Sequence, residues 1–302
     1  MDPGRRAFAE TADPEAYVAR TATEAVLAKL EQWRDEGESA ASIACLIAPP
    51  GLGKTFLLRV FESRLVGSRP LDRVSPEDTP YASLHAPPHE RLRRDAASLA
   101  LYLPYAGLLL PDLSAWVHGL LGRPLSASVS EDPDQGALEA LLALGDGPES
   151  PCFLIVDDAE SMPAATARRL ARGLRPRGAP LRLLLALNDD ARAMRLRATL
   201  DDGQEPVEIL FRDPMTESET RAYLRARMSW AGVPEPTIAS LESTSASRIH
   251  ALSGGLPRRV HRLAASLLQT GDLPIQGAGD ESWREAEWMG RPIDDLEDAE
   301  EA

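Results

Sequence analysis

Two hydrophobic periods run through this chain, and their succession sets the order of elements it predicts. From residue 14 to residue 36 apolar residues recur at helical spacing, with Val18, Ala22, Val26, Leu30 and Trp33 on one stripe. The runs Ile43–Ile47, Cys152–Val156 and Leu181–Leu187 are apolar almost without interruption. Such runs predict strands buried on both faces, as a parallel sheet requires. Val207–Phe211 is a further expected strand, and Tyr81–Leu84 is a candidate second one. Amphipathic segments follow the strands: Phe56–Leu65, Leu113–Leu121, Ala137–Leu144 and Ala164–Gly173. The apolar stretch Leu99–Leu110 is broken by Pro104 and Gly107 and receives no element. Strands alternating with helices predict an α/β fold with a parallel sheet.

After Pro214 the strand signal stops. Thr216-Glu217-Ser218-Glu219 is a capping-box pattern opening a helix that runs to Gly232. A second helical region covers about 234–252, and Pro257 begins a third that continues to about Leu268. The expected organisation is a mobile N-terminus over 1–13, a core over 14–213, a small all-helical domain over 214–272 and an acidic, unstructured tail over 273–302. The last twelve residues hold six acids and no aromatic.

Composition narrows the classes. With 302 residues and 43% apolar content, the chain can bury a sizeable core. No run approaches the roughly eighteen apolar residues a membrane span needs. The opening Met1-Asp2-Pro3-Gly4-Arg5-Arg6 leads into polar sequence, so a cytoplasmic protein is expected. Cys45 and Cys152 fall within expected strands as small core residues, and five scattered histidines form no metal-ligand spacing. A net charge of −14 opposes non-specific nucleic-acid binding, which depends on neutralising phosphates, although a local arginine patch stays compatible with it.

The chemistry concentrates at Ala48-Pro49-Pro50-Gly51-Leu52-Gly53-Lys54-Thr55, between an expected strand and an expected helix. That context fits a phosphate-binding loop: backbone N–H groups wrap a polyphosphate, Gly51 and Gly53 permit the curl, and the helix N-terminus faces the anion. Lys54 reaches the β- and γ-phosphates in such a loop, and Thr55 offers its hydroxyl to Mg²⁺. Ala48 stands where G-x-x-x-x-G-K-[ST] has its first glycine. Of 33 lysines and arginines only Lys29 and Lys54 are lysines, so the loop holds one of the two compact point charges. About a hundred residues on, the run ending at Val156 is followed by Asp157-Asp158-Ala159-Glu160. Asp157 there suits Mg²⁺ held through water, and Asp158 or Glu160 can orient an attacking water. Asn188, ending the next strand run, can reach a γ-phosphate or that water, or close a plain turn.

With these residues assembled, the chain resembles the AAA+ ATPases, specifically the branch of general-secretion A-component ATPases and transposon ATP-binding proteins. The resemblance spans roughly residues 14–270. It rests on the loop through Thr55, the Ile155–Glu160 strand end, Gly254-Gly255-Leu256-Pro257-Arg258 and a segment from Thr216 to Gly232 like that branch's first lid helix. It implies a P-loop NTPase core with a helical lid, ATP and Mg²⁺ as cofactors, and nucleotide contacts from Pro50, Gly51, Leu52, Gly53, Lys54, Thr55 and Phe56. It further implies that Arg258 is the lid's sensor arginine. Two features depart from the pattern. Asp158 follows the metal aspartate where a glutamate is common, and no arginine stands in 201–206 to act on a neighbouring subunit, leaving Arg195 or Arg197 as substitutes. The expected function is a Mg²⁺-dependent ATPase controlling a protein partner or assembly, with homo-oligomerisation compatible. A nucleotide-gated adaptor with negligible hydrolysis and a transposition-type regulator assembling on DNA are the alternatives.

Overall fold

Among the described residues five strands, β1 (Ile43–Ile47), β2 (Leu99–Leu103), β3 (Cys152–Val156), β4 (Leu181–Leu187) and β5 (Val207–Leu210), pair in the order β2-β3-β4-β1-β5. Every pairing is parallel. The computed structural model describes residues 3–9, 12–36, 41–65, 99–122, 131–145, 147, 151–175, 178–200 and 205–270. They fall into two compact units, Thr11–Asp213 and Met1–Glu10 with Pro214–Ala302. Helix α1 (Pro3–Ala7) belongs to the second. The first holds α2 (Thr21–Asp35), α3 (Lys54–Leu65), α4 (Leu110–Leu120), α5 (Pro133–Leu142), α6 (Ala164–Gly173) and α7 (Ala191–Leu200).

β1, β3 and β4 are buried along their whole length because helices cover both sheet faces. Alternate residues sort to the two sides. Cys45, Leu154 and Leu183 share one core with Leu113 of α4, Leu138 of α5, Leu170 of α6 and Leu196 of α7. On the other side Phe153 meets Trp33 of α2 and Phe61 of α3 edge-on, with ring centroids 5.7 and 6.5 Å away. Such aromatic pairs contribute about 1 kcal/mol each beyond their area. Arg182 interrupts the apolar run of β4, yet it is 2% exposed. Its Nη1 donates to the carbonyls of Trp33 (2.6 Å) and Arg34 (2.9 Å), occupying acceptors that the end of α2 leaves unsatisfied. The chain leaves β1 for the far edge and returns through β3 and β4 before adding β5 on the other side. β1 therefore sits where the strand order reverses, the place at which open α/β sheets form a crevice beyond their C-terminal ends.

Several elements differ from expectation. The stretch at Leu99 supplies β2, ended by Pro104, whereas the candidate strand Tyr81–Leu84 lies outside the described residues. A 3-10 turn, Pro14–Ala16, precedes α2, which starts only at Thr21. Asp132 caps α5 through the N–H of Asp134, so that helix opens before Ala137. α7 is unanticipated: its arginines mask the apolar stripe, and Asp190 caps it through the N–H groups of Arg192 and Ala193 (2.8 and 2.9 Å).

The second unit contains α8 (Glu217–Ala231), α9 (Glu235–Thr244), α10 (Ala246–Ser253) and α11 (Pro257–Thr270). The expected helical region over 234–252 consists of two helices that meet at Ser245, in a Ser/Thr-rich run whose hydroxyls compete for helix carbonyls. Thr244 and Ser243 both bond the carbonyl of Ser240. The expected capping box at Thr216 and Glu219 is present in both directions. Within the N-terminal segment expected to be mobile, Ala7 and Phe8 lie in this unit's core beside Leu224, Met228 and Leu263. The apolar side chains of so short a helix have no stripe long enough to announce burial. No described helix is long and apolar enough to cross a membrane.

Candidate functional site

The site forms at the C-terminal ends of β1, β3 and β4, where three chain segments deliver polar side chains to one place. After β1, Gly51 and Gly53 adopt φ of 81° and 104°, a region closed to most side chains, and the loop turns directly into α3. Ala48 needs no glycine freedom, since Asp158 is the one described non-glycine residue with positive φ. Its N–H donates to the Leu187 carbonyl (3.1 Å), tying the loop's first residue to the end of β4.

Lys54 is buried at the first position of α3. Its Nζ donates to the carbonyls of Ala48 (3.0 Å) and Pro49 (3.4 Å) and to Oδ1 of Asn188 (2.6 Å). Asn188 in turn donates through Nδ2 to Oε1 of Glu160. Oε2 of Glu160 is buried without a hydrogen-bond partner among the described residues. Burial, with the neighbouring negative charge of Asp158 adding to it, raises the Glu160 carboxyl above the usual carboxylate range, and the charge of Lys54 pulls the other way.

Beside this chain of contacts lies a second. Thr55 Oγ1 donates to Oδ2 of Asp157 (2.6 Å), and the hydroxyl of Tyr102 on β2 donates to the same oxygen (2.8 Å). Asp157 Oδ1 accepts the N–H of Asp158 (3.1 Å). Asp157 is 4% exposed, whereas Asp158 is exposed and left-handed at φ 44°. The fold thus brings together Lys54, Thr55, Asp157, Glu160 and Asn188. Arg258 belongs to the other unit, exposed in the first turn of α11. There the preceding Gly255, at φ 72°, lies so close to the Met215 backbone that a Cβ would approach its carbonyl oxygen to 2.0 Å. Arg195 is exposed on α7, and Arg197 pairs with Glu208 of β5.

Tyr102 was not anticipated, although the apolar run before Pro104 was a usable signal for the strand that carries it. Arg59 of α3, its guanidinium 3.5 Å from the Tyr102 ring centroid, had no sequence signal. The donor set suits a Mg-polyphosphate. A buried ammonium, two positive-φ glycines and a helix N-terminus face an anion, while one carboxylate and one hydroxyl suit a hard cation that draws its remaining oxygens from ligand and water. Among the described residues no cluster of three His, Cys, Asp or Glu offers an all-protein cage.

Comparisons with known proteins bear on the fold and the family. The fold is similar to the Walker-type ATPase PABY2304 of Pyrococcus abyssi at a TM-score of 0.51 and 14% identity, covering 82% of this chain and 68% of that one. It is likewise similar to the Orc1 protein of Aeropyrum pernix, determined in complex with DNA, at a TM-score of 0.55 and 16% identity, covering 94% and 69%. No curated protein matches the sequence. The AAA-domain family model matches residues 36–194, more than half of the 302 residues, from the segment before β1 into α7. That stretch contains the phosphate loop, Tyr102, the Asp157–Glu160 strand end and Asn188, and the chain belongs to the AAA-domain family of P-loop ATPases.

Proposed function

We propose that this protein binds ATP with Mg²⁺ and hydrolyses it slowly, passing its nucleotide state to a protein partner or assembly. The observation that carries the reading is the unbroken run of contacts from Lys54 through Asn188 to Glu160, set beside the Thr55–Asp157 pair. Lys54 and the loop N–H groups suit the phosphates. Thr55 and Asp157 are the residues to hold Mg²⁺, which supplies charge neutralisation to the phosphoryl oxygens when bound. Glu160 is the better-placed carboxylate to orient an attacking water. Asn188 fixes one of its oxygens, the other is uncommitted, and burial raises its carboxyl above the usual carboxylate range, which makes it a stronger base. Asp158, directly after Asp157, is exposed and lies outside that run of contacts.

Within the family we place the chain with the secretion A-component and transposon ATP-binding branch, a placement supported by Gly254-Gly255-Leu256-Pro257-Arg258. The response of the helical unit to nucleotide through Arg258 and assembly with further copies rest on that resemblance, and a cytoplasmic location rests on composition. Assembly on DNA has the Orc1 complex as its nearest support and the net charge of −14 against it.

Calorimetric titration of ATP with and without Mg²⁺, followed by phosphate release with and without duplex DNA, tests the proposal. Mg²⁺-dependent binding with slow, DNA-independent release is the expected outcome. Binding without release identifies the nucleotide-gated adaptor, DNA-stimulated release the DNA-assembling regulator, and absence of binding removes the proposal. Scattering profiles that coincide for a non-hydrolysable ATP analogue, ADP and no ligand would remove the lid response.

A further inference from the structure

We propose that Tyr102, with Arg59 stacked on it, is a positioning residue for the cation side of the site. It fixes the Asp157 carboxylate so that Thr55 presents its oxygen lone pairs to Mg²⁺. The inference rests on the Mg-nucleotide reading above and names a residue that neither the loop nor the strand-end motif contains.

The parallel register of β2 and β3 sets Tyr102 opposite Ile155, and the Asp157 N–H closes the ladder on the Leu103 carbonyl at 2.9 Å. From there the Tyr102 hydroxyl reaches Asp157 Oδ2 at 2.8 Å, the oxygen that also accepts from Thr55 at 2.6 Å. With the Asp158 N–H on Oδ1 at 3.1 Å, donors from three elements hold one carboxylate, and its rotation is closed off. A hydroxyl has one proton and two lone pairs. The proton of Thr55 is committed to Asp157, so its lone pairs are left for a cation. Without Tyr102, Oδ2 would depend on Thr55 alone, the one group that must also serve the metal. Arg59 braces the arrangement: its guanidinium lies 3.5 Å from the ring centroid and is itself held by Glu62 at 2.8 Å.

The test measures equilibrium binding of a fluorescent ATP analogue against free Mg²⁺, and again in EDTA, for the full-length protein. For Tyr102→Phe we expect EDTA affinity within about twofold of wild type, and a half-saturating Mg²⁺ raised about tenfold or more, the scale of one hydrogen bond to a charged group. Arg59→Met, which leaves the hydroxyl in place, should raise the same midpoint about threefold. A Tyr102→Phe midpoint equal to wild type overturns the inference. So does an EDTA affinity that falls by the same factor as the Mg²⁺-supported one, because that marks a scaffold effect. Should Tyr102→Phe melt before the titration, an unmoved Arg59→Met midpoint overturns it alone. Wild-type binding that ignores Mg²⁺ is a separate failure, that of the Mg-nucleotide reading.

Discussion

The C-terminal edge of the sheet and the interior of the helical unit both bury charged and polar side chains, but they dispose of them differently. In the helical unit the buried side chains are directed at the backbone and rings of that same unit. Arg227, 1% exposed, donates through Nε to the Ala7 carbonyl at 2.9 Å and lies 5.0 Å from the Trp230 ring centroid, while Arg6 stacks on the same ring at 4.6 Å. The Tyr223 hydroxyl meets His261 Nε2 at 2.6 Å, and Phe8 packs edge-on against that histidine. At the sheet edge the contacts end instead on an uncommitted oxygen of Glu160 and on a hydroxyl, Thr55, with lone pairs to spare. A buried polar atom without a partner costs about 1–3 kcal/mol, a cost that a ligand or water completing it would remove. The first network holds helices together; the second is suited to holding something else.

The largest effect that would break this comparison is expected from Lys54→Ala. Removing the buried ammonium should lower ATP affinity by about 4 kcal/mol, roughly a thousandfold, with the helical content retained. Calorimetry decides, and a folded variant with wild-type affinity contradicts the role given to the sheet edge. Phe8→Ala is the counterpart in the other unit and should cost about 3 kcal/mol. Hydrogen exchange should then speed in α8 and α11 while β1, β3 and β4 keep their protection; uniform change across both units would show that the networks are not separable. Glu160→Gln should slow turnover about a hundredfold with ATP affinity kept, whereas Asp158→Asn should stay within a few-fold. The reverse ranking would return the water-orienting role to Asp158.

A separate effect is a response to acid. Burial, reinforced by the charge of Arg227, lowers His261 to about 4, so the ring is neutral in the fold. The unfolded chain titrates near the ordinary histidine value of about 6.5 and binds the proton first. Stability of the helical unit should therefore be full above pH ~6.5 and decline as pH falls toward about 4. Urea midpoints followed by circular dichroism report this, and His261→Gln should flatten the curve. An equally steep decline in that variant would move the cause elsewhere.

Much of the sheet unit was legible because its signals are local. An apolar run too long to alternate implies a strand covered on both sides, and a glycine-bearing loop between strand and helix carries its chemistry in adjacent residues. Ile43–Thr55 and Cys152–Glu160 could be read that way, and the expected β1, β3, β4 and β5 are all present. What stayed hidden involves partners far apart in the chain. β2 looked like a broken apolar stretch until pairing with β3 gave Leu99–Leu103 a place. The Pro3–Phe8 segment is too short to show a period, and only the groove it fills reveals its burial.

The sequence by itself determined the phosphate loop, the acidic strand end, the α/β class and the helical character of residues 217–270, since each follows from residue types within one or two turns of chain. Only the tertiary structure decided which groups meet. Asn188 bridges Lys54 and Glu160, and Tyr102 shares an oxygen with Thr55, across separations of 134, 28, 55 and 102 residues. Those meetings are set by strand order and register, because parallel pairing brings the C-terminal ends of β1 to β4 to a single edge.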